Sequence, residues 1–213
     1  MNTLLTIAKT LLKLLVAGAI SLFVFLFAMG FADGPWGVVP GGSFVETSQP
    51  APADWSFAKE LDTVEFQLEE PVSSRTSWIM EHDNRIFIPS GYMNSTVGKI
   101  WKHWPMHAEK NGDALLRIDG QVFEVRMQRT KEADVLTPIL SELARKYMGI
   151  VPPIDDEVLA GMHQQVSSNN LWVFELVGRS LPSINIRSDT SEQALTWVRI
   201  LAFSQVLAGP FAT

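Results

Sequence analysis

The chain has 213 residues, 46% of them apolar and 19% charged. That suits one ordinary domain with an appendage and excludes a disordered, collagen-like or coiled-coil chain. The absence of cysteine removes thiol catalysis, thiolate metal sites and disulfides, and the net charge of −6 argues against a broad nucleic-acid surface.

Residues 14–32 carry no charge, and Lys9 and Lys13 are the only charges before them. As a helix these 19 residues span about 29 Å, close to the ~30 Å hydrocarbon core of a bilayer. A helix satisfies its own backbone polar groups, so a single-pass anchor in the lipid bilayer is expected. The basic flank places the N-terminus on the cytoplasmic side and exports the rest. A cleaved signal peptide ending near Gly30-Phe31-Ala32, or a buried core helix, is the competing reading. The body beyond residue 32 is acidic, which predicts that it is held away from an anionic lipid surface.

Four prolines and four glycines between 33 and 54 predict an extended linker, with Trp36 either at the membrane interface or packed on the domain. From residue 62 the period changes to two: Val64, Phe66 and Leu68 alternate with Glu65, Gln67 and Glu69, the pattern of a strand with one wet face. Strands 75–82 and 85–89 flank Asp83-Asn84, a dipeptide that tolerates positive φ and predicts a tight hairpin. A second hairpin joins 114–118 to 121–129 through Asp119-Gly120. Its two-residue turn sets Ile118 opposite Gln121, Leu116 opposite Phe123 and Ala114 opposite Val125.

Helices are predicted over 138–148, with Thr137 as cap, Pro138 in the first turn and Gly149 as stop, and over 154–165 with acidic residues in its first turn. An apolar strand at 171–178 follows, then a strand at 183–187. A helix at 190–207 has apolar residues covering more than one stripe, so it is buried, dimeric or membrane-contacting. The domain division is therefore an anchor at 1–32, a linker at 33–54, a mainly pleated body at 55–187 and a C-terminal apolar helix in 188–213.

His103 and His107 have i,i+4 spacing, but Pro105 makes a helix beginning at Pro105 more natural, with His103 outside it. No metal site is expected. Serine-hydrolase, P-loop and dinucleotide-binding motifs do not occur. The informative segment runs from Pro89 to Pro105. It supplies Ser90, Ser95 and Thr96 hydroxyls and loop amides, then Lys99 and Lys102 at the start of a helix, an arrangement able to hold a phosphate. Tyr92 and Trp101 could wall a planar ring beside it. The plainer reading makes the lysines a solvated face and the tryptophans core.

The order of these features is distinctive: an Arg-starting strand, an Asp-Asn turn, an Ile-Phe-Ile-Pro-Ser strand end, Ser95 to Lys99 opening a helix, a Leu-Leu-Arg-Ile-Asp-Gly hairpin and a late apolar strand. It resembles the FMN-binding split β-barrel, or pyridoxamine 5′-phosphate oxidase-like, superfamily over roughly residues 55–187. The resemblance implies an α+β fold, with the N-terminal transmembrane helix followed by a split β-barrel with peripheral helices. It also implies FMN as cofactor, with phosphate held by Arg75, Ser90, Ser95 and Lys99, and a homodimer with the cofactor at the subunit interface. Gly98 stands where many members carry a second basic residue, and Lys102 could compensate; Trp101 is carried as a ring contact. Two functional readings follow: a membrane-anchored flavin-dependent oxidoreductase acting on a small molecule, or a non-catalytic envelope barrel that binds a partner protein or haem.

Overall fold

The computed structural model describes residues 2–179 apart from 97 and 99–101. The strand expected at 183–187 and the helix expected at 190–207 lie outside the described residues. Helix α1 (Asn2–Met29) begins before the charge-free run, and its stretch Leu5–Met29, with mean hydropathy 2.5, has none of its residues buried. It is long and apolar enough to cross a membrane.

The body is a curled, mostly antiparallel sheet packed against helices. Its strands are β1 (Ser48–Pro50), β2 (Thr63–Glu69), β3 (Val72–Trp78), β4 (Met80–His82), β5 (Arg85–Ser90), β6 (Asp113–Ile118), β7 (Gln121–Thr130) and β8 (Trp172–Gly178). They follow the order β3-β2-β6-β7-β8-β5-β4, with β1 parallel to the first half of β7. The two end strands of that order are consecutive pieces of one chain segment, separated only by Ile79. A single bent strand thus pairs with β2 through its first half and with β5 through its second, and this closes the curl.

Both hairpins have the expected register. Asp83 and Asn84 take φ of 51° and 61°, setting His82 opposite Arg85. Asp119 and Gly120 take 49° and 75°, setting Ala114, Leu116 and Ile118 opposite Val125, Phe123 and Gln121. Those φ values are the ones a two-residue turn needs to match the twist of its strands.

Two apolar cores result. Inside the curl, Val64, Phe66 and Leu68 meet Leu116, Val125, Met127, Phe174, Leu176, Ile86 and Ile88, and helix α2 (Trp104–Lys110) adds Trp104 and Ala108. Outside β4, β5 and β8, helices α3 (Ala133–Met148) and α4 (Asp156–Ser167) cover Met80, Phe87 and Val173 with Leu136, Ile139, Leu140, Leu143, Met162 and Val166. Strand β5 is buried on both faces, which explains its near-continuous apolar run.

α3 starts a turn earlier than Thr137-Pro138 suggested. The Thr137 hydroxyl donates to Ala133 O at 2.8 Å from within the helix, and Pro138 lies in its interior. Gly149 ends it in the left-handed region, and the Asp155 carboxylate caps α4 by accepting from Glu157 N.

The Pro/Gly-rich segment 33–54 is laid along the sheet. Gly41 exchanges two backbone hydrogen bonds with Ser74, the buried Phe44 donates its N–H to Gln67 Oε1 at 2.6 Å, and β1 adds to β7. A Cβ on Gly41 would collide with the carbonyl of Gly34, so this doubling-back requires glycine there. Arg117 fastens the segment further. It reaches Asp33 (2.9 Å), Glu46 (3.1 Å) and Glu65 (2.6 Å), with Phe44 under its guanidinium at 4.2 Å.

The bend at Ile79 has its own fastening. The buried Ile79 N–H donates to the Tyr147 hydroxyl at 2.9 Å, and that hydroxyl lies 2.7 Å from Ile79 O and 2.6 Å from Asp62 O. Lys146 Nζ donates to Lys59 O, Leu61 O and Ile79 O. Trp78 stacks on the Tyr147 ring, 4.4 Å between centroids. Side chains from α3 therefore take over the backbone groups that the break removes from the ladder.

Candidate functional site

Arg75 lies opposite Phe66 in the β2–β3 register, and directly opposed residues of an antiparallel pair share a face. Phe66 points into the inner core, so Arg75 takes the inner face too, between Ser73 opposite Leu68 and Ser77 opposite Val64. A short polar stripe thereby faces an otherwise apolar interior. Arg75 Nε is buried without a hydrogen-bond partner, and among the described residues no carboxylate pairs with the guanidinium. Burial lowers the Arg75 pKa, yet a guanidinium stays charged at any ordinary pH.

Ser90 ends β5, which pairs with β4 and β8. It shares its face with Ile86 and Ile88, is 2% exposed, and donates to the sulfur of Met93 at 3.4 Å. Thioether sulfur is a weak acceptor, so this hydroxyl is only loosely committed.

The loop after Ser90 is more fully engaged than a free phosphate clamp would be. Ser95 Oγ donates to Tyr92 O at 2.8 Å and accepts from Gly98 N at 2.9 Å, so it closes a local turn. Met93 N donates to Asn170 O, Asn94 N to Asn170 Oδ1 and Asn94 Nδ2 to Ser168 O. Lys102 Nζ donates to Gly91 O at 3.1 Å and lies 5.8 Å from the Tyr92 ring; its half-burial lowers its pKa. Tyr92 holds φ of +62° with an exposed ring, a backbone state unusual for a bulky side chain and one found at ligand sites.

Of the residues named from the sequence, Ser90 ends β5, Ser95 and Lys102 lie in the segment that follows it, Arg75 sits on β3 paired with β2, and Lys99 and Trp101 lie outside the described residues. Sequence reasoning missed the 168–170 turn as that loop's support. Its signal was the Ser-Ser-Asn-Asn run, where Asn169 takes φ of +58°. It also missed Arg129, whose guanidinium lies 3.6 Å from the centroid of the Trp172 ring and pairs with Glu109 and Asn169, bracing the same turn.

His103 sits at the N-cap position of α2 and His107 one turn inside it. His163 Nε2 is 3.0 Å from Thr137 Oγ1 between α3 and α4. Among the described residues, no group of three or more His, Asp and Glu side chains is placed to hold a metal.

No family model and no curated protein matches the sequence. One solved structure, a "Putative Pyridoxamine 5'-phosphate oxidase" from Listeria innocua, aligns with 55% of this chain and 83% of its own at 9% identity and a TM-score of 0.35. That identity transfers no residue from one protein to the other.

Proposed function

We propose that this chain is a membrane-anchored barrel that binds a phosphate-bearing planar ligand of the FMN class, with Arg75 as the phosphate contact. The observation that supports this is the inner-face guanidinium left without an anion. A half-buried cation with no carboxylate partner among the described residues carries a desolvation cost, and a phosphate would offset that cost with charge-assisted, bidentate hydrogen bonds. The donor set fits in part. Arg75 Nε is unsatisfied and Ser90 is held only by sulfur, so both suit an anion, and Lys102 adds positive charge at the loop. Ser95 contributes through the shape of its turn, because its hydroxyl is already used twice. The exposed ring of Tyr92 offers a face against which a planar ring can stack.

A flavin held there would supply two-electron redox chemistry. The protein's own part would be to bind the phosphate, orient the ring and exclude water. α1 would anchor the barrel, with Lys9 and Lys13 keeping the N-terminus cytoplasmic.

The test is titration of detergent-extracted full-length protein with FMN and with riboflavin, followed by flavin fluorescence. FMN should bind more tightly than riboflavin, and Arg75→Met should weaken FMN by about 10- to 100-fold, the worth of ~1.5–3 kcal/mol for a charged hydrogen bond, while leaving riboflavin unchanged. Protein that is colourless as purified and quenches neither flavin refutes the proposal.

A further inference from the structure

After Met29 the chain makes three turn-like hydrogen bonds (Gly30 N to Phe27 O, Phe31 N to Ala28 O, Ala32 N to Met29 O) and then doubles back. Trp36 and Val39 exchange two backbone hydrogen bonds of 3.0 Å around Gly37 at φ +56°, forming a tight hairpin between Pro35 and Pro40. The Trp36 ring meets Phe25 edge-on at 5.9 Å, so the hairpin lies beside the last turns of α1 and not beyond its end. Its side chains have little protein cover: Trp36 is 68% exposed, Val38 92% and the neighbouring Phe31 79%. Immediately behind it comes the charged cluster of Arg117 with Asp33, Glu46 and Glu65, and then the sheet.

The apolar stretch Leu5–Met29 is long enough to span a ~30 Å hydrocarbon core, so a hairpin beside its last turns lies at the level where that core gives way to headgroups. Tryptophan favours the headgroup level, where the amides of the turn that lack partners can reach water.

We propose that the 35–40 hairpin is a second membrane contact: Trp36, Val38 and Phe31 enter the bilayer interface beside the C-terminal end of α1. The inference rests on the reading that α1 spans the membrane. It makes the sheet lie close against the lipid surface, fastened through Arg117 and the Gly41–Ser74 bridge, instead of hanging on a free linker. Three carboxylates around one guanidinium leave that level acidic, so uncharged lipid headgroups suit it best.

The absence of cysteine allows a clean test. Full-length Val38→Cys, Phe31→Cys and, as a solvent reference, Val151→Cys (an exposed residue after α3) are labelled with the fluorophore NBD and reconstituted into phosphatidylcholine vesicles with and without doxyl-labelled lipid. The labels at 38 and 31 should emit blue-shifted light that falls when doxyl lipid is present and resists aqueous iodide, whereas the label at 151 should show the reverse. Water-like, iodide-quenched emission at 38 and 31, in protein that resists carbonate extraction, overturns this inference and leaves the anchor standing. Carbonate extraction of the unlabelled protein overturns both.

Discussion

Tyr147→Phe removes one oxygen and tests how the sheet is closed. The ring, and with it the stacking on Trp78, is kept, so only the hydroxyl's hydrogen bonds are lost. The two sides of that loss are unequal. Ile79 O keeps a donor in Lys146 Nζ at 3.2 Å, and the exposed Asp62 can turn to water. Ile79 N–H is fully buried and loses its acceptor outright. An orphaned buried donor costs ~1–3 kcal/mol, so the expected loss is about 2 kcal/mol. Lys146→Met removes three donated bonds at the same place. The double variant should therefore depart from additivity by ~0.5 kcal/mol or more, as residues sharing a network do. Urea unfolding of the detergent-solubilised chain measures both. A pH arm follows from burial, which pushes the Tyr147 pKa up to about 12. An unfolded tyrosine loses its proton near pH 10, so between those values the unfolded chain binds fewer protons than the folded one. The hydroxyl's contribution is complete below pH 10 and is lost as pH rises through that window, and Tyr147→Phe should lack this decline. A variant within about 0.5 kcal/mol of the parent, with the same alkaline profile, would refute the reasoning.

Arg117→Gln leaves Asp33, Glu46 and Glu65 without their shared cation. Those carboxylates are about one-third exposed or more, so screening limits the cost to about 1–2 kcal/mol, and a urea series should show the gap narrowing with salt. Arg75→Leu should stabilise the flavin-free protein by up to about 1 kcal/mol, because it replaces a half-buried guanidinium whose Nε has no hydrogen-bond partner with apolar surface facing Phe66; unfolding at lower urea than the parent would contradict that.

What the sequence disclosed was local. Asp119-Gly120 and Asp83-Asn84 fix their hairpins because positive φ at two consecutive residues is a property of the dipeptide, and a two-residue loop leaves one register. The alternation from Val64 to Leu68 is equally self-contained. What stayed hidden depends on distant partners. Nothing in Trp78-Ile79-Met80 marks a strand break, since all three suit a strand; Tyr147 and Lys146, nearly seventy residues away, impose it. The Pro/Gly-rich segment reads as a spacer until Gln67 and Ser74 are seen to bond it. Pro138 looks like a helix start because proline is favoured in a first turn, but tertiary packing of Leu136 and Val135 draws the preceding turn into α3. At the candidate site the limits are the same. Ser95 reads as an available hydroxyl, yet its two bonds are to neighbours three residues away, an option open to any serine in a turn.

The face on which Arg75 lies carries most weight for function, and it depends on register. A strand reading Val-Ser-Ser-Arg-Thr-Ser-Trp has no apolar alternation to say which side is inward. Only the pairing with β2 does so, setting Ser73, Arg75 and Ser77 against Leu68, Phe66 and Val64. A sheet selected for stability alone would continue the apolar interior across β3, as β5, β6 and β8 do. Instead β3 presents two hydroxyls and a guanidinium without a counter-charge, on the strand held at its bend by Tyr147 and Lys146. A polar stripe on an otherwise apolar interior lowers stability locally, and the proposed phosphate contact at Arg75 would be its compensation.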